Sequence, residues 1–145
     1  MYKHVLIPTD GSERSARAIT QGIALAALLK ARVTAFMATP PIPPIVLEGL
    51  PAPVHNEELE QNAKDYATRS LAIAAEAAAA AGVPCEAIHI KHDHPWEAII
   101  QAAEQRGCDL IVMASHGRRG IAKFVLGSQA TRVLSHSTVP MLICR

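Results

Sequence analysis

Four segments of this chain, Val5 to Pro8, Val33 to Ala38, Leu110 to Met113 and Met141 to Cys144, are apolar almost throughout, and stretches of helical periodicity separate them. A strand with one wet face alternates apolar and polar residues; a strand apolar on both faces must be covered on both. Such strands alternating with helices predict a parallel sheet enclosed by helices, a doubly wound α/β domain. The helices read as Ser12 to Lys30, with apolar positions at Ala16, Ile19, Ile23 and Ala26 or Ala27; Glu57 to Ala81, alanine-rich and stopped by Gly82; Pro95 to about Arg106, ended by Gly107; and about Gly127 to Ser135. Cys85 to Lys91 completes a five-stranded sheet, and its stronger alternation places it near an edge. At 145 residues the chain is expected to form one domain, residues 1–145, with helices on both faces of the sheet.

The formal charge of +1 is scattered, and aromatic residues are 3% of the chain, too few for stacking on bases, so a nucleic-acid partner is not expected. The longest apolar run, Ile23 to Leu29, is far shorter than the ~18 residues that span a bilayer, and the N-terminus reads directly into a strand. A cytoplasmic protein with no membrane segment is expected. Cys85, Cys108 and Cys144 form no C-x-x-C pair and lie in or beside strands, as reduced thiols do. Residues 39–55 hold six prolines together with Ile42, Ile45, Val46, Leu47, Leu50 and Val54. So much apolar surface argues for packing over the domain or against a partner.

In doubly wound sheets, ligands bind beyond the carboxyl ends of the strands where strand order reverses. Two segments meet that description if their strands are neighbours: Pro8-Thr9-Asp10-Gly11-Ser12 after the first strand, and Ala114-Ser115-His116-Gly117 after Met113, followed after nine residues by Gly127-Ser128. Glycines admit an anion close to the backbone, and the N–H groups of a helix N-terminus point at it. Ser128 adds a hydroxyl donor. The chain lacks both G-x-G-x-x-G and G-x-x-x-x-G-K-[ST], so such a phosphate site is of another kind. Plainer readings compete: a turn and a helix start for the glycines, a helix cap for Asp10 or Ser12. Arg118, Arg119 and Lys123 either neutralise phosphate or are solvated. The histidines of His89-x-x-His92-Asp93-His94 need not converge, so no protein metal site is expected. His116 has no second group to orient it as a base, so no catalytic residue is assigned.

Together, Ser115-His116-Gly117, nine residues, Gly127-Ser128, with Pro8-Thr9-Asp10 and with Val139-Pro140 before the terminal strand, resemble the universal stress protein family over the whole chain. The resemblance implies a small cytosolic homodimer pairing through the last strand, and in one branch ATP binding through G-x-x-G-x(9)-G-[ST]. Carried across, Gly117, Gly127 and Ser128 would hold phosphates, with Mg²⁺ or Mn²⁺ as the nucleotide's own companion; Pro8, Thr9 and Asp10 would face adenine and ribose, and Ala38 would line the adenine pocket. Met113, His116 and Gln129 flank the motif as wall residues. Ala114 stands where the pattern begins with glycine; at positive φ an alanine would cost about 1 kcal/mol and its methyl would crowd a phosphate, while at ordinary φ little is lost. The expected function is a nucleotide-bound stress-response dimer, with slow hydrolysis left open. The alternative is a nucleotide-free dimer acting through protein contacts.

Overall fold

The computed structural model describes residues 1–116 and 126–145. Its elements run β1 (His4–Pro8), α1 (Glu13–Leu29), β2 (Arg32–Thr39), α2 (Glu57–Ala80), β3 (Cys85–Lys91), α3 (Pro95–Gln105), β4 (Leu110–Ala114), α4 (Ser128–His136) and β5 (Met141–Cys144). The sheet has the order β3-β2-β1-β4-β5, and all four pairings are parallel. This is the single α/β domain expected, with β3 at an edge and β1 beside β4. The strand order therefore reverses between β1 and β4, and the chain leaves both strands at the same end of the sheet.

The period of two along each strand divides the apolar side chains between two cores. Val5, Ile7, Val33, Ala35, Met37, Leu110 and Val112 face α1 and α2; Leu6, Phe36, Ile111 and Met113 face α3 and α4. At the opposite end of the sheet Asp109 ties β1 to β4, accepting hydrogen bonds from the backbone N–H of Lys3 at 2.8 Å and of His4 at 3.0 Å. Burial works against its charge, but those hydrogen bonds prevail and hold its carboxyl below the usual range. No helix among the described residues is long and apolar enough to cross a membrane.

For the segment between β2 and α2, expected to pack over the domain or against a partner, the structure bears on the first arm alone. Ile45 and Val54 exchange two backbone hydrogen bonds of 2.8 Å in an isolated antiparallel bridge. Yet Ile45, Val46, Leu47, Leu50 and Val54 stay exposed, Val46 at 79%, so these side chains do not pack over the domain, while Ile42 is half-buried. Pro40-Pro41 and Pro43-Pro44 account for this: fixed φ and missing N–H groups keep the chain extended as it leaves β2 and deny it a ladder along the sheet.

Candidate functional site

The loop after β1 is tied up by its own side chains. Thr9 donates its backbone N–H to the Phe36 carbonyl at 2.8 Å, and its buried hydroxyl lies 2.9 Å from Ser15 Oγ and accepts the Gly11 N–H at 3.1 Å. Asp10 Oδ1 accepts the Ser12 N–H at 2.9 Å, and Ser12 Oγ caps α1 by accepting the Ser15 N–H at 3.2 Å. Of the two sequence readings of the cap, Ser12 is the N-cap and Asp10 closes the turn before it. Gly11 has φ +78°, and a Cβ there would run into the Tyr66 hydroxyl and lie 2.6 Å from Ser70 Oγ. Tyr66 uses that approach to donate to the Asp10 carbonyl at 2.8 Å, so α2 roofs the turn.

The end of β4 is built differently. Ser115 donates its backbone N–H to the Cys144 carbonyl at 2.8 Å, which continues the β4–β5 pairing one step, and Gly127 donates to the Ser115 carbonyl at 2.7 Å. That bond sets the N-terminus of α4 directly against the end of β4. Only glycine fits: a Cβ at residue 127 would lie 2.9 Å from the Ser115 carbonyl oxygen and 3.2 Å from His116 Cα, both backbone atoms. A Gly127→Val change therefore displaces the loop itself rather than only intruding on an anion. Being glycine, the N-cap brings no side-chain acceptor, and the first N–H groups of α4 have no intrahelical partner. Ser128 is exposed at the first helical position, and the half-buried His116 has Nδ1 3.2 Å from Ser115 Oγ.

The remaining expected site residues divide between these surroundings. Pro8 ends β1, Ala38 and Met113 stand one residue before the ends of β2 and β4, and both belong to the core under α3 and α4. Ala114 is strand, outside the positive-φ residues, and its methyl is buried in the core under α1 and α2. Alanine there carries no conformational penalty. Gln129 is no passive wall: its Oε1 accepts the backbone N–H of Trp96, in the first turn of α3, at 3.1 Å. Nothing local to Gln129 in the sequence signals that bond. Gly117, Arg118, Arg119 and Lys123 lie outside the described residues.

The histidine run is spent on structure. His89 Nε2 lies 2.7 Å from Thr39 Oγ1, and His92 Nδ1 accepts the His94 backbone N–H at 3.0 Å. Burial, then the charge of Lys91, lowers the His89 pKa, and no metal-holding cluster occurs among the described residues. The cysteines are unpaired, Cys108 and Cys144 buried and Cys85 half-buried. Burial raises all three thiol pKa values, Cys108 to about 11, which keeps them protonated and unreactive. A cleft of about 620 Å³ lined by His55, Glu60, Lys64, His89 and Lys91 lies beside the β3 edge, away from the β1–β4 crevice.

The whole chain, residues 1–145, matches the model of the universal stress protein family. It is 34% identical to the "Universal stress protein in QAH/OAS sulfhydrylase 3'region" of Thermus aquaticus, with 100% of both chains covered. Its fold matches the solved structure of the Methanocaldococcus jannaschii protein MJ0577 with TM-score 0.79 at 24% identity, over 99% of this chain and 95% of that one. A universal stress protein solved in complex with cAMP matches with TM-score 0.73 at 27% identity, over 99% of this chain and 97% of that one.

Proposed function

The chain belongs to the universal stress protein family, and from that premise we propose that it binds ATP in the crevice between β1 and β4 and acts in the stress response as a nucleotide-bound dimer. The observation that carries the reading is the first turn of α4: donors without intrahelical partners, a glycine cap held against the end of β4, and an exposed Ser128 hydroxyl beside them. Such a turn attracts anions through its N–H groups and its dipole. In this reading Gly117, Gly127 and Ser128 take the phosphates, and His116 and Gln129 stand beside them. Pro8, Thr9, Asp10 and Ala38 receive ribose and adenine over the floor made by Met113 and Ala114, and Mg²⁺ or Mn²⁺ enters with the nucleotide. The cAMP-bound relative supports the adenine part.

Dimerisation is proposed through β5. This strand ends the sheet, and Leu142 on it is 41% exposed, so an unpaired apolar edge invites a second copy. The rival reading, a nucleotide-free dimer that acts through protein contacts, draws its support from the exposed side chains of Ile45 to Val54.

Titration calorimetry with ATP and Mg²⁺ separates the two. A saturable heat together with thermal stabilisation supports nucleotide binding. No heat and no stabilisation at millimolar ATP rejects it in favour of the rival. Sedimentation at micromolar concentration tests the assembly, and a monomer there refutes the dimer in both readings.

A further inference from the structure

The α3 N-terminus lacks a cap of its own. His94 at the N-cap makes no side-chain capping hydrogen bond, and Pro95 follows with no N–H to offer. The first N–H in need of an acceptor is that of Trp96, and the acceptor comes from another helix, Gln129 Oε1 at 3.1 Å, 33 residues away. Two further α4 side chains face the same tryptophan. The His136 ring lies 4.8 Å from the Trp96 ring, and the Arg132 guanidinium carbon lies 6.0 Å from its centroid. Residues 129, 132 and 136 recur at helical spacing, so one face of α4 clasps Trp96 along its length. The indole N–H is buried with no hydrogen-bond partner among the described residues.

At its other contact the same first turn of α4 is held by Gly127 N–H on the Ser115 carbonyl at 2.7 Å. The α4 N-terminus is therefore fixed at two points, the β4 end and the α3 N-terminus. We propose that Gln129 is a positioning residue: by bonding the Trp96 backbone it sets the α4 amides that meet the phosphates, and Trp96 reports their occupancy. The inference rests on the nucleotide reading above. An anion drawn onto the first turn pulls on a helix clasped by Trp96, so the indole environment changes with binding.

Trp96 is the single tryptophan of the chain, so its emission is read without interference from another. In the wild type, ATP with Mg²⁺ should change that emission saturably, with the same midpoint as the calorimetric heat. Gln129→Met keeps the length of the side chain and removes the acceptor. It should raise the Kd for ATP about five- to tenfold, the weight of one lost hydrogen bond, and shrink the emission change. Trp96→Phe, which keeps the backbone N–H, should bind ATP within about twofold of wild type. If calorimetry shows binding while wild-type emission stays flat, the coupling is overturned and the nucleotide reading stands. An unchanged Kd in folded Gln129→Met overturns the positioning role; should that variant fail to fold, the wild-type emission titration decides the coupling by itself. Absence of heat in the wild type overturns the nucleotide reading, and this inference with it.

Discussion

Helices α1 and α4 both begin at the carboxyl end of the sheet, and they complete their first turns in opposite ways. At α1 the cap is Ser12, Asp10 holds the turn before it, Thr9 and Ser15 join beneath, and Tyr66 closes over the top. At α4 the cap is Gly127, which brings no side-chain acceptor to the N–H groups of the first turn. In the proposed reading, the contrast separates a helix start closed by the protein's own side chains from one whose first turn meets the phosphates. Polar groups satisfied internally raise stability; polar groups preset but unpartnered at a surface favour binding.

The sharpest way to break the contrast is Gly11→Ala. Its Cβ would sit at φ +78° and push on Tyr66 and Ser70, so a loss of about 2–4 kcal/mol is expected, visible as a fall of roughly 5–15 °C in Tm. A near-wild-type melt would mean that the α1 start is not tightly locked. Gly127→Ala presses on the Ser115 carbonyl and His116 Cα. It is expected to cost about 1 kcal/mol of stability but to weaken ATP binding about tenfold in calorimetry. Equal losses in stability at the two glycines would erase the distinction.

Smaller changes sharpen it. Ser12→Ala removes a cap and is expected to lower stability by about 1 kcal/mol in chemical denaturation, with ATP affinity unchanged. Ser128→Ala does the reverse: stability within about 0.5 kcal/mol of wild type, and a Kd for ATP raised about threefold. A Ser12→Ala variant that lost affinity, or a Ser128→Ala variant that lost only stability, would show that the roles of the two turns are exchanged.

Much of this arrangement could be read along the chain. Apolar runs located the strands, with β3 and β5 bounded as the structure has them, and Ser12, Pro95 and Gly127 marked helix starts through local chemistry that needs no distant partner. The same patterns placed β3 near an edge, but that β1 lies beside β4 was only a condition along the chain, and the order β3-β2-β1-β4-β5 comes from the structure. What escaped notice depends on residues far apart. Tyr66 reaches the Asp10 carbonyl across 56 positions, and Gln129 reaches the Trp96 N–H across 33. A tyrosine and a glutamine on helices carry no local sign of such partners. For the proline-rich segment the composition records apolar side chains, and whether the domain covers them depends on where the prolines direct the backbone.

Helix α2 gives the locked turn a second character. The side chains it buries are Ala67, Ser70, Leu71, Ala74 and Ala78, so apart from one leucine its grip on the sheet is made of methyl groups and a hydroxyl. Alanine holds a helix together through backbone propensity far more than it holds that helix to its neighbours. When the native state breathes, α2 should lift away as an intact rod before it unwinds, and Tyr66 goes with it. The amides near Gly11 should then exchange with solvent sooner than those further along α1, so the tempo of that loop is set by how α2 is held.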